Sequence, residues 1–200
     1  MLRPNEEPFF GSQLMSADST LVDLDSLQAL FFQDSRLLGE FTKVDASQID
    51  SFGQELLNHN EHMTVTVEKH HGCAVDVDVL EHRTDGDHYS RKILLRRQSD
   101  NGVVMYGIVR LLLSAVADAV RSEIESREIP LGRVLINHNV LREVRLLSLY
   151  RVECGVELAR ALKCNPGDIC FGRTAIIRCD GQLAIELLEI VAGSGRGNES

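Results

Sequence analysis

The sequence predicts an α+β fold, a single antiparallel β-sheet with helices packed on one face. Three observations point to the sheet and its helices. Strand-like alternation fills the middle and the C-terminal third of the chain, and two of its breaks carry strong hairpin turns, Asn101-Gly102 and Asp180-Gly181. Helical spacing is confined to a few short segments. No regular βαβ alternation occurs, so consecutive strands pair as hairpins rather than through crossovers.

In chain order, residues 1–20 are polar and read as a flexible N-terminal segment, followed by one domain over 21–192 and a flexible Gly/Ser tail over 193–200. Leu24, Leu27 and Phe31, then Leu37, Leu38 and Phe41, recur at helical spacing on either side of Gln33-Asp34-Ser35, predicting two helices with Asp34 or Ser35 capping the second. Residues 42–60 read as an irregular connection with weak helical character near Phe52 to Leu57. Met63, Val65 and Val67 alternate with Thr64, Thr66 and Glu68, and Val75, Val77 and Val79 alternate with aspartates, predicting a hairpin turning at His71-Gly72. Strands follow at 89–97 and 103–113. Ser114 opens an amphipathic helix through Val116, Val120 and Ile124, and Pro130-Leu131-Gly132 starts a short helical segment. A strand at 140–152, a helix near 155–163 and strands at 170–178 and 183–191 complete the domain.

Composition bounds the function. The chain has 200 residues, 44% of them hydrophobic, enough for one sizeable core. A net charge of −9 and a pI near 5.2 argue against nucleic acid as a partner, because phosphate backbones are bound by clustered basic surface. No segment has the length of a membrane span or the form of a signal peptide, which excludes a membrane partner and predicts a cytoplasmic protein. Cys73, Cys154, Cys164, Cys170 and Cys179 include no CxxC and no zinc-finger spacing, so they read as reduced, mostly buried thiols. His70-His71 and His59/His62 likewise lack ligand spacing and read as exposed histidines at strand ends. No metal and no cofactor is expected. Oligomeric state is not legible.

Two charges stand on apolar strand faces. Arg91 shares a side with Tyr89, Ile93 and Leu95, and Glu189 shares one with Leu183, Ile185 and Leu187. A charge facing a core needs a partner, so each implies a structural ion pair or a polar group in a ligand pocket with apolar walls.

The segments Leu30-Phe31-Phe32-Gln33-Asp34-Ser35-Arg36, Met63 to Val67, Arg91-Lys92-Ile93-Leu94-Leu95, Pro130-Leu131-Gly132-Arg133-Val134-Leu135 and Glu189-Ile190-Val191 occur in the order seen in chorismate lyases. The chain resembles that family from about Leu21 to Val191. The resemblance implies a secluded pocket beneath helical flaps and an enzyme, a carbon-oxygen lyase eliminating pyruvate from chorismate to give a hydroxybenzoate. It implies that Arg91 binds the ligand carboxylate, that Leu131 and the adjoining Gly132 contact the ligand, and that Glu189 lies near its oxygen-bearing end as a catalytic acid or base; the match at Glu189 takes a one-residue adjustment after Asp180-Gly181, and Glu186 is a nearby rival. Arg36 falls where the family has a ligand-contacting methionine, and is read as a cationic pocket contact. Arg91 would be the bidentate anchor, and no nucleophile is needed. The alternative is a non-catalytic carboxylate-binding domain of similar fold, like the effector module of transcription regulators. Only about twenty residues precede the first helix, too few for a helix-turn-helix domain.

Overall fold

The computed structural model describes residues 23–193. The segments 1–20 and 194–200, expected to be flexible, lie outside the described residues.

Seven strands form one fully antiparallel sheet: β1 (Gly39–Val44), β2 (Val75–Asp85), β3 (His88–Arg97), β4 (Val103–Leu112), β5 (Arg142–Cys154), β6 (Ile169–Cys179) and β7 (Gln182–Val191). Their spatial order is β1-β5-β6-β7-β4-β3-β2. Among the described residues six α-helices accompany them: α1 (Leu24–Ala29), α2 (Ser51–Leu57), α3 (Met63–His71), α4 (Asp118–Ser126), α5 (Leu131–Asn137) and α6 (Val156–Leu162). The predicted α+β class with one antiparallel sheet is the observed one.

Strand alternation divides the sheet into two faces. On the front face, Ile93, Leu95 and Met105 pack with Leu56 and Leu57 of α2 and Met63 and Val67 of α3. Further along the same face, Val109, Leu111, Ile185 and Leu187 pack with Ile124 of α4 and Val134 and Leu135 of α5. The back face is also helical, where a single helical layer was expected. There Leu94, Tyr106, Ile108, Leu188 and Ile190 pack with Leu27 of α1 and Leu158 and Leu162 of α6.

Several elements differ from the sequence reading. The expected strand 63–67 is helix α3: its buried residues Met63, Thr64, Thr66 and Val67 fall at helical spacing, and burial of that stripe outweighs the small helical penalty of its valines and threonines. Gly72 ends this helix in the left-handed conformation (φ 65°) instead of turning a hairpin, and β2 pairs with β3 through the turn at Gly86. The expected second helix at 34–41 is one 3-10 turn, Ser35–Leu37, capped by the Asp34 carboxylate, after which the chain enters β1. Gly39 forces that change, because its φ of 147° suits only glycine and a Cβ there would lie 2.3 Å from the Glu153 carbonyl oxygen on β5. Ser114 belongs to a 3-10 turn, and α4 begins at Asp118. The connection 42–60 contains a second 3-10 turn and α2.

The five cysteines are free thiols, with Cys154, Cys170 and Cys179 buried. Among the described residues no helix is long and apolar enough to cross a membrane.

Candidate functional site

A small, partly open cavity of about 40 Å³ lies on the front face where its two sub-cores meet. Its floor is sheet: Ile93 and Leu95 of β3, Met105, Gly107 and Val109 of β4, and Leu187 and Glu189 of β7. Its roof is the N-terminal ends of two helices, Met63 and Thr64 from α3 and Leu131 and Gly132 from α5. Gly132 eases their close approach, since a Cβ there would lie in tight contact, 3.0 Å from Thr64 Oγ1 and 3.3 Å from His62 Cβ. The volume holds a few water molecules and no aromatic ring.

Arg91 precedes Ile93 on the same face of β3, and its register partner on β4 is the cavity residue Val109. The side chain is 0% exposed, and among the described residues none of its three guanidinium nitrogens has a hydrogen-bond partner. Burial pushes the guanidinium pKa below its ordinary value, with the Tyr89 hydroxyl offering the main compensation. That hydroxyl is itself buried and without a hydrogen bond.

Glu189 lines the cavity and is paired. Its Oε2 accepts a hydrogen bond of 2.7 Å from Nε of Arg173, the residue opposite it on β6. Arg173, also 0% exposed, donates further to the carbonyls of Leu57 (3.2 Å), His59 (2.9 Å) and Glu61 (3.2 Å). One buried guanidinium thus ties the α2–α3 connection to the sheet and satisfies a carboxylate at the same time. The residue was missed in the sequence, although Arg173 stands among Phe171, Ala175 and Ile177 with the same alternation that singled out Arg91.

Two histidines complete this clamp. They sit at helix ends and are half-buried, correcting their reading as exposed strand-end residues. His59 Nδ1 accepts from the Glu61 amide (3.1 Å), so Nε2 carries the proton and donates to the Leu56 carbonyl (2.7 Å). His62 precedes α3, and its Nε2 accepts from Arg142 Nε at 2.7 Å. Burial, then Arg142 and Arg173, push the His62 pKa down to about 4, and burial with Arg173 lowers that of His59.

The structure therefore brings Glu189, Leu131 and Gly132 to one cavity, with Arg91 buried beside it. Glu186 faces the other side of β7 and pairs with Arg110 there, which separates it from Glu189. Arg36 is not part of the site. Its side chain is 80% exposed and grips Asp34 two residues away, because the 3-10 turn points it to solvent.

No protein-family model and no curated protein sequence matches the chain. Among solved structures it is similar to YydK from Bacillus subtilis (12% identity, TM-score 0.43, 58% of this chain and 57% of that one). It is also similar to the ligand-binding domain of a GntR-family transcriptional regulator from Bordetella bronchiseptica (14%, TM-score 0.45, 60% and 86%). A third is the effector domain of PhnF from Mycobacterium smegmatis (11%, TM-score 0.45, 66% and 89%). The chain thus spans little more than half of YydK. TM-scores below 0.5 leave the functional argument on the chain's own residues. The expected lyase activity is corrected on those residues: Glu189, expected to move a proton, is held in a buried ion pair by Arg173, and Arg36, expected in the pocket, lies outside it.

Proposed function

We propose that this chain is a non-catalytic binding domain for a small carboxylate ligand. The carboxylate takes the Arg91 guanidinium in a bidentate, charge-assisted contact, and the apolar body lies over Ile93 and Val109 beneath Leu131 and Gly132. The observation that carries this reading is the orphaned state of Arg91. A fully buried guanidinium with no acceptor costs several kcal/mol, and an arriving carboxylate repays that cost by supplying two acceptors. The cavity is too small for a ring as it stands, so binding draws the N-terminal ends of α3 and α5 away from the sheet.

Thermal unfolding with benzoate and 4-hydroxybenzoate tests the reading, with benzamide and benzyl alcohol as neutral controls. The carboxylates are expected to raise the midpoint in proportion to the logarithm of their concentration, as ligands of the native state do. Equal shifts from the neutral controls, or none from any carboxylate, would overturn it.

A further inference from the structure

The back face holds a second and larger cavity, of about 310 Å³, at the lower end of the size range of small-molecule sites. Its floor is the cross-strand pair Leu94 and Tyr106, and Phe32 and Ala161 form apolar walls. Lys92, Arg96, Arg160 and Lys163 stand around it against a single lining carboxylate, Glu157. This concentration of cations occurs in a chain whose net charge is −9. The partners of Lys92 and Arg96 are Glu81 and Asp78, 3.1 and 3.2 Å away, and both carboxylates are nearly half exposed. Glu157 pairs with Arg160, and the carboxylate ends of all three pairs are open to solvent, so an anion entering the cavity competes with them for the cations.

A second observation points inward. Tyr106 is only 2% exposed, and its hydroxyl is buried with no hydrogen-bond partner among the described residues. Burial, together with Glu157 and Glu81, holds its pKa well above the usual phenol value, so it stays a neutral donor. The Lys92 ammonium lies 5.0 Å from the centre of the Phe32 ring, which places a charge and an aromatic surface on one wall.

We propose that this cavity is a second ligand site, for a small organic anion carrying a flat ring: the ring lies on Leu94 and Phe32, the Tyr106 hydroxyl donates to the anion, and Lys92 and Lys163 neutralise it. The site is on the opposite side of the sheet from Arg91 and stands independently of the function proposed there.

Phenyl phosphate is the probe, with inorganic phosphate and phenol as the two halves of its chemistry. Backbone amide NMR on the full chain is expected to show saturable shifts at Leu94, Tyr106 and Ala161 with phenyl phosphate, and binding at least about tenfold weaker with phosphate or phenol alone. Lys92→Gln/Lys163→Gln should weaken phenyl phosphate by about tenfold or more, and Tyr106→Phe, which keeps the ring in place, by about threefold to tenfold. The fold of each variant is checked from its own amide spectrum. Absence of saturable shifts at those residues up to about 10 mM, phosphate binding as tightly as phenyl phosphate, or folded variants binding like the wild type would each overturn the proposal.

Discussion

Arg91 and Arg173 are two arginines on the same face of one sheet, both 0% exposed, in opposite chemical states. Arg173 reaches a carboxylate and three backbone carbonyls, while Arg91 makes no full hydrogen bond among the described residues and has only the Tyr89 hydroxyl near it. The contrast separates structure from function. A satisfied buried charge fixes a loop against the sheet, whereas an unsatisfied one is a standing cost, which in the reading proposed above a ligand relieves.

The comparison is broken most severely at Arg173. Arg173→Met leaves Glu189 buried without its partner and is expected to cost about 3–5 kcal/mol in urea unfolding. Adding Glu189→Leu should recover much of that loss, because the stranded carboxylate is then gone. A folded Arg173→Met of unchanged stability would refute the clamp.

Acid acts on the same region. The unfolded chain binds a proton at His62 near pH 6.5 and the folded chain only near pH 4. Stability is therefore full above about pH 6.5 and falls as pH drops from 6.5 towards 4, by up to roughly 3 kcal/mol from this residue. His62→Gln should flatten that part of a pH series of unfolding midpoints, and an unflattened slope would assign the acid sensitivity elsewhere.

At Arg91, the conservative change to lysine keeps the charge and loses the fork. Carboxylate binding in Arg91→Lys should weaken by about ten- to a hundredfold, measured by calorimetric titration with 4-hydroxybenzoate. Gly132→Ala sets its new methyl against Thr64 and His62 in the cavity roof, and should cost about 1 kcal/mol by the same unfolding assay. Arg36→Ala should leave both stability and ligand affinity unchanged, since its one ion pair is on the surface. A loss of affinity there would place Arg36 back in the site.

Much of this arrangement was legible in the residue order. Strands β3, β4, β6 and β7 were readable because two-residue alternation and the Asn101-Gly102 and Asp180-Gly181 turns agree with one another. Arg91 and Glu189 stood out for the same reason, as charges at apolar positions of that alternation. Arg173 carried an equal signal, but its partners come from residues 57–61, more than a hundred positions away, where no local pattern advertises them. Helix α3 was misread because Val65 and Val67 between threonines imitate a strand, and only packing against β2 and β3 decides which period is buried. Arg36 was misplaced because a carried-over contact presumes a helix where Gly39 turns the chain into β1 instead.

The central claim, that Arg91 is kept for a ligand and not for the fold, is tested most directly by Arg91→Met, followed by urea unfolding and by calorimetric titration with 4-hydroxybenzoate. Replacing an unpaired buried charge with an apolar chain of similar length should leave stability unchanged or raise it by about 1–2 kcal/mol, while carboxylate binding disappears. A variant that loses several kcal/mol of stability, or that remains folded and binds the carboxylate as the wild type does, would contradict it.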